Sequence, residues 1–257
     1  MNYITSGLHG DYDLYMKIKA LLKEPEDRLW ILGDVLDGNS KTPQDGLRIV
    51  DDIRKSNGAV NLVLGNHEYF HTMRILQLED EESELMWRES LEEMDISGKP
   101  LLEFMNKVNP DALFDLGEFM ASCDTTEMIE IGGRKFYMCH GAPSLRSQGK
   151  RGDLTWQFNI VTEPLDVNRK YVAEIASDVR VQEFANRYNG LDIKKVFVVS
   201  GGTSASEGIS MGAEDVDGIA FKGKNFCIGQ AHTADNPASE FYVLAADAGG
   251  FWTIKIE

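Results

Sequence analysis

Three short apolar runs near the N-terminus each stop at a glycine, and helical patterns separate them. Tyr3-Ile4-Thr5 runs into Ser6-Gly7, Leu29-Trp30-Ile31-Leu32 into Gly33, and Val60-Asn61-Leu62-Val63-Leu64 into Gly65. Between the first two runs, Asp11 is placed to cap a helix whose apolar face is Leu14, Ile18, Leu21 and Leu22. Between the second and third, Leu47, Val50 and Ile53 share helical spacing that ends near Asn57-Gly58. Successive strands joined by helical crossovers lie parallel, because an antiparallel return needs only a tight turn. The rhythm therefore predicts a parallel sheet with helices packed on it.

Residues 69–121 are acidic and helical in pattern, with Glu79-Asp80-Glu81-Glu82 in their first half and Gly98-Lys99-Pro100 and Asn109-Pro110 as punctuation. They read as a helical insertion, and the acidic run as a solvated helix face. Met128–Ile131 and Lys135–Cys139, joined by Gly132-Gly133, read as a β-hairpin. A helix is expected over 168–188. Strands follow at Val196–Val199, Asn225–Ile228, Phe241–Ala245 and Phe251–Ile256, giving the end of the chain the look of an antiparallel sheet. The expectation is an α/β (α+β) domain spanning 1–257 with two packed sheets flanked by helices and 69–121 as an insertion within it.

The chain of 257 residues carries a formal net charge of −16 and no dense Lys/Arg run. That balance disfavours nucleic acid as a partner and favours divalent cations. Three widely spaced cysteines, Cys123, Cys139 and Cys227, without a CxxC, give neither a disulfide framework nor a thiolate metal site. No apolar run approaches a membrane span and no basic-then-apolar leader opens the chain, so a reducing, cytoplasmic setting is expected.

The chemistry-bearing residues lie just past the strands. His9-Gly10 follows the first, Gly33-Asp34-Val35-Leu36-Asp37-Gly38 the second, Gly65-Asn66-His67-Glu68 the third, and His140-Gly141 the strand ending at Cys139. Ligands of α/β sheets bind beyond the carboxyl ends of the strands, where such loops converge. Singly, each residue has a plainer explanation: a post-strand Asp is usually a cap or turn residue, and a lone histidine such as His140 is usually a satisfied core residue. As an ordered set they are more specific.

That order resembles the calcineurin-like metallophosphoesterases, in particular the bacterial and phage branch of PPP-type serine/threonine phosphatases. Gly33–Asp37 matches GDxxD, Gly65–Glu68 matches GNHE, Ser6–Gly10 is similar to SDxHG, and Tyr137–Gly141 to the strand before HAG. Leu154-Thr155-Trp156 is similar to the LxW that often follows. The resemblance implies a four-layer αββα sandwich of two mixed sheets, and a phosphatase with two divalent metals, Mn²⁺, Fe or Zn²⁺. It also implies a role for each matched residue. His9 and Asp34 would hold one metal. Asp34 would bridge to a second, which Asn66 and His140 would also hold. His67 would be the general acid toward the leaving oxygen, oriented by Asp37. The implied substrate is a phosphoprotein, a nucleotide or a small phosphate ester, with no membrane partner.

The departures are equally specific. Gly7 stands where the family has its first Asp, Gly38 where it has the Arg of GDxxDRG, and Trp156-Gln157-Phe158 lacks a second phosphate-gripping Arg. For the closing GHT motif, Ser200-Gly201-Gly202-Thr203 is the favoured counterpart, with Gly202 in place of the histidine. Ala231-His232-Thr233 is the other, and a surface-loop role for His232 is the plainer alternative to ligation. Asp11, Asp13, His71 or Asp153 are candidate compensating groups. The alternative function is therefore a weakened phosphatase relative acting as a binding or regulatory module. A nucleic-acid exonuclease of the same superfamily fits the acidic charge poorly.

Overall fold

Strand β1 (Asn2–Thr5), helix α1 (Tyr12–Lys19), strand β2 (Arg28–Leu32), helix α2 (Gln44–Lys55) and strand β3 (Val60–Val63) form the N-terminal alternation that the apolar runs predict. The computed structural model describes residues 1–76, 98–141, 196–210, 213–222, 225–230 and 232–257. The three strands are parallel, with Asn2 level with Arg28 and Leu29 level with Val60. Asp11 caps α1, its carboxylate accepting from the Leu14 N–H at 2.9 Å, which satisfies one of the donors a helix start leaves open. α2 buries Leu47, Val50 and Ile53 on one face. It stops before Asn57 and Gly58, which adopt φ of 53° and 81°.

Within 69–121 the structure is helical where described: α3 (Asn66–Ile75), α4 over 98–105, and α5 (Pro110–Ser122). Asn109 caps α5 through the Asp111 N–H, and Pro110 occupies its first turn, where its missing N–H is not needed. Gly98-Lys99-Pro100, expected as a break, is helical instead. The acidic run 79–82 and the helix expected over 168–188 lie outside the described residues.

Strands β4 (Thr126–Ile131) and β5 (Arg134–Cys139) make the expected hairpin, with Gly132 and Gly133 both at positive φ as a two-residue turn of that hand requires. Then come β6 (Val196–Ser204), α6 (Ala205–Ser210), β7 (Glu214–Val216), β8 (Ile219–Lys222), β9 (Asn225–Gly229), β10 (Phe241–Ala246) and β11 (Phe251–Ile256). They do not form one antiparallel sheet. β10 pairs antiparallel with β1, completing a sheet of order β11-β10-β1-β2-β3, while β6 joins a second sheet of order β4-β5-β6-β9-β8-β7, parallel to β5 and β9. Both sheets are mixed.

Period-two alternation distributes the apolar residues between two cores. Tyr3, Leu29, Ile31, Leu62 and Val243 face α1, α2, α3 and α5. Ile4, Leu32, Val63, Met138, Val199, Phe226 and Leu244 fill the space between the sheets. The cysteines are free thiols. Cys139 and Cys227 lie level with Ser200 from opposite sides, which is two strand spacings, ~9.5 Å, beyond the ~7 Å reach of a disulfide. No helix among the described residues is long and apolar enough to cross a membrane.

Candidate active site

The loops leaving β1, β2, β3 and β5 meet at one end of the two sheets. The β1 loop is tied to the β2 loop by His9 N–H on the Asp34 carbonyl at 2.7 Å and Gly10 N–H on the Val35 carbonyl at 2.8 Å. The β2 and β3 loops touch through glycine: a Cβ on Gly33 would stand 2.5 Å from the Gly65 Cα and 2.6 Å from His140 Nδ1, so only glycine fits there. Among the described non-glycine residues, His9, Asp34 and Asp37 have φ of 41°, 56° and 64°. Residues in this left-handed region cost of order 1–3 kcal/mol each and cluster at functional sites. The other two such residues, Asn57 and Asp217, precede turn glycines.

Glu68 holds this geometry. Its Oε1 accepts from the Val35 and Leu36 N–H groups at 2.8 and 2.9 Å, and its Oε2 from those of Asp34 and Gly65 at 2.9 and 3.0 Å. One buried carboxylate thus takes four backbone donors and fixes the Asp34–Asp37 loop against the start of α3. Within the Gly65–Glu68 motif, Glu68 is the residue with no assigned chemical role. The signal was present, since a glutamate three residues after a helix N-cap commonly accepts from the cap N–H.

Asp34 is the hub of the predicted ligand set. His9 Nε2 lies 3.5 Å from its Oδ2, and His140 Nε2 lies 3.2 Å from its Oδ1. Asn66 opens α3 immediately after Gly65. His140 Nδ1 sits 2.7 Å from the Leu32 carbonyl, which can only accept, so Nδ1 carries the proton and Nε2 turns toward Asp34. Asp34 Oδ1 is buried without a hydrogen-bond partner. A nitrogen lone pair facing a buried carboxylate oxygen is stable only when positive charge lies on that side, as a proton or a cation. Burial works against the charge of Asp34, but positive charge on the His140 and His9 side outweighs it and holds the carboxyl well below its usual range. This donor set fits a divalent cation with mixed N/O preference. Each histidine pairs with a different carboxylate oxygen, and no ready group of three or more His, Cys, Asp or Glu ligands is present among the described residues.

Beside it lies a second cluster. His67 Nδ1 is 2.7 Å from Asp37 Oδ2, and His71 Nε2 is 2.8 and 3.0 Å from the two Asp37 oxygens. The His67 ring stands edge-on to that of His9, with centroids 5.2 Å apart. Burial alone would raise the Asp37 carboxyl, but the hydrogen bonds from His67 and His71 hold it well below the carboxylate range. Burial pulls His67 down, but its bond to Asp37 and the charges of Asp34, Asp37 and Glu68 reverse this and push it up to about 9.

At two of the positions where the family motif is broken, a side chain would meet its neighbours. A Cβ on Gly38 would lie 2.7 Å from His9 Cβ and 3.0 Å from Thr233 Cβ, and one on Gly202 would lie 2.9 Å from His140 Nε2. Gly202 therefore abuts the His140 ring. His232 is neither a surface residue nor a free ligand. It is 5% exposed, its Nδ1 accepts the Ala238 N–H at 2.9 Å, and its Nε2–H donates to Asp11 Oδ2 at 3.0 Å. Both nitrogens are committed. Asp11 is likewise engaged as the α1 cap. Asp13 is exposed. Asp153 and the 154–158 segment lie outside the described residues.

These features place the chain in a defined class. The model of the calcineurin-like phosphoesterase family matches residues 3–233, and the chain belongs to that family, whose activity is phosphoester hydrolysis. Among solved structures it resembles a protein serine/threonine phosphatase from Saccharomyces cerevisiae with similarity to human phosphatase PP5, at 12% identity and a TM-score of 0.52, over 100% of this chain and 79% of the other. It also resembles a putative diadenosine tetraphosphatase, at 13% identity and a TM-score of 0.52, over 99% of this chain and 92% of the other. At these identities the likeness is one of fold. No curated protein sequence matches significantly.

Proposed function

We propose that residues 1–257 act as one metal-dependent phosphoester hydrolase domain, with 69–121 as a helical insertion beside the site. The observation that carries the proposal is the His67–Asp37 pair at 2.7 Å standing next to the His9–Asp34–His140 donors. His9 and Asp34 would hold one cation; Asp34, Asn66 and His140 a second. Mn²⁺, Fe or Zn²⁺ suit these donors. When bound, the cations supply positive charge to the phosphoryl oxygens and activate a water for in-line attack. The chain's own contribution is protonic. Asp37 engages His67 Nδ1, which leaves Nε2 as the atom that presents a proton to the departing oxygen. An acid so placed typically contributes 10²–10⁴-fold in rate. The substrate is a phosphoprotein, a nucleotide or a small phosphate ester in a cytoplasmic setting. The two fold neighbours, a protein phosphatase and a putative dinucleotide phosphatase, keep the first two in view.

One observation favours a second reading, in which the chain is a weakened relative that binds rather than hydrolyses. Gly38 lies against His9 and Thr233, and Gly202 against His140, so this arrangement is packed around the absence of a phosphate-gripping arginine at 38 and of a fifth ligand at 202. Calorimetric titration with Mn²⁺, together with p-nitrophenyl phosphate hydrolysis with and without Mn²⁺, separates the two. Metal-stimulated turnover that collapses in His67→Asn supports the hydrolase. Mn²⁺ binding without turnover anywhere from pH 6 to 9 supports the binding module.

A further inference from the structure

We infer that His71 is a positioning residue for the His67–Asp37 pair, an inference that rests on the hydrolase reading for its kinetic consequence but not for its structural one. His67 and His71 are one helical turn apart on α3 and so share a face, and both address the Asp37 carboxylate. A carboxylate only accepts, so each of the two histidines must donate: Nδ1–H from His67 at 2.7 Å and Nε2–H from His71 at 2.8 Å. The two donors divide the carboxylate, with His67 on Oδ2 and His71 reaching Oδ1. The Asp37 and His71 side chains are both 0% exposed, whereas that of His67 is 14% exposed. His67 therefore faces the site and His71 sits behind it.

Two features separate this arrangement from ordinary packing. First, His71 Nδ1 is buried with no hydrogen-bond partner, a penalty that an apolar residue in the same place would not carry. The compensating bond is the one to Asp37. Second, Gly98 of α4 closes over the pair: a Cβ there would stand 3.3 Å from Asp37 Oδ2 and 3.4 Å from His71 Nε2. With water kept from that side, His71 is the donor that holds Oδ1. Without it the buried carboxylate, already at a strained φ of 64°, is free to rotate away from His67 Nδ1. His67 would then lose its orientation, and its Nε2 its aim at the leaving oxygen.

The test compares His71→Leu, which removes the donor, with His71→Gln, whose amide replaces it. In the Mn²⁺-loaded full chain, kcat and KM are measured for phenyl phosphate, which needs a proton on its leaving oxygen, and for 2,4-dinitrophenyl phosphate, which does not. His71→Leu is expected to lower kcat for phenyl phosphate by ~10²-fold and for the dinitrophenyl ester by under about 3-fold, with KM unchanged, and His71→Gln to recover most of the loss. Equal losses on both esters, or none, overturn the proposal. A second measurement needs neither metal nor activity. In metal-free, ¹⁵N-histidine-labelled protein, the downfield Nδ1 proton of His67 is expected to be visible, to vanish by exchange in His71→Leu and to return in His71→Gln. The Nδ1 proton of His140 on the Leu32 carbonyl should persist throughout as a folding control. An unchanged His67 proton in His71→Leu overturns the proposal even if the chain proves to hydrolyse nothing. A silent assay beside the expected spectra overturns only the hydrolase reading.

Discussion

His67 Nδ1, in the first turn of α3, and Asp37 Oδ2, in the loop after β2, lie 2.7 Å apart beyond the ends of neighbouring parallel strands. This contact makes the metal-free protein's stability depend on pH in a definite direction. The folded pKa of His67 is raised from 6.5 to about 9. The folded state therefore holds that proton more tightly than the unfolded chain, and the stabilisation is complete below pH 6.5 and lost as pH rises through 9. Within that window one group changes stability by at most ~1.4 kcal/mol per pH unit. Asp34 and Asp37 run the other way: lowered from 3.8, they contribute above that value and lose their contribution as pH falls below it. Thermal melts of EDTA-treated protein should show Tm falling from pH 6.5 to 9, with that alkaline arm flattened in His67→Gln. A wild-type Tm that stays level across the window would contradict the pairing.

Glu68 accepts four backbone N–H groups from two loops, so its removal should be felt in stability before activity is considered. In Glu68→Ala the N–H groups of Asp34, Val35, Leu36 and Gly65 lose their acceptor in a buried loop. Each stranded donor costs about 1–3 kcal/mol. With partial relaxation, the expected loss is at least ~3 kcal/mol by urea denaturation. Glu68→Gln should lose somewhat less, because the amide oxygen still accepts while the NH₂ faces other donors. A loss below ~1 kcal/mol in the alanine variant would show that these bonds do not hold the loop.

The N-terminal half of this fold was legible because its code is local. Each of β1 to β3 is a short apolar run ending at glycine, and Asp11, Asn57 and Gly58 mark helix ends by their own backbone chemistry. Two features beyond that code were missed for different reasons. The β7–β8 hairpin turns on Asp217-Gly218, at φ 47° and 83°, a recognised turn signal; its strands are three and four residues long and the first is acidic, so alternation was too brief to register. The division of the last strands between two sheets is a tertiary fact. β9 and β10 are similar apolar runs, and only the partners waiting in each sheet decide where they go. In the site, His9, Asp34, Asp37, His67 and His140 were readable as an ordered set. Glu68 was read only as a letter of the Gly65–Glu68 motif and His71 only as a possible compensating group; their bonds to the β2 loop appear when α3 is docked with its first turns facing that loop. The closure of Gly38 by Thr233, remote in sequence, could not be read at all.

His232 offers a clean separation between ligand and latch. Its Nδ1 accepts from Ala238 and its Nε2–H donates to Asp11, so neither nitrogen is available to a cation. Burial pulls its pKa down, with Asp11 opposing. The loop it anchors also reaches Gly38 through Asp235 N–H on the Gly38 carbonyl at 3.0 Å. His232→Ala should therefore lower stability by ~1–3 kcal/mol while leaving the Mn²⁺ dissociation constant within about 2-fold. A large drop in Mn²⁺ affinity with unchanged stability would make it a ligand after all.

Gly7 and Gly202 should respond to substitution in opposite ways, because a side chain at 7 meets only the Gln230 backbone and one at 202 meets the His140 ring. Gly202 donates its N–H to the His140 carbonyl at 2.6 Å, and a Cβ there would press on His140 Nε2 at 2.9 Å and on its backbone oxygen at 3.1 Å. Gly202→Ala must push the imidazole off Asp34 Oδ1, and Mn²⁺ binding should weaken measurably by calorimetry. Gly7 has φ 71°, and a Cβ there would meet the Gln230 carbonyl at 3.2 Å, so that backbone must give by a few tenths of an ångström. Aspartate tolerates this left-handed backbone better than most residues, at ~1 kcal/mol. In return it adds a carboxylate to the loop whose His9 already faces Asp34. Gly7→Asp should thus lower Tm by a few degrees and tighten Mn²⁺ binding on the order of tenfold, since hard-cation affinity follows the number of charged ligands. If Gly202→Ala left Mn²⁺ binding untouched, His140 would not belong to the donor set. If Gly7→Asp cost stability without tightening the ion, position 7 would not be the missing corner of the site.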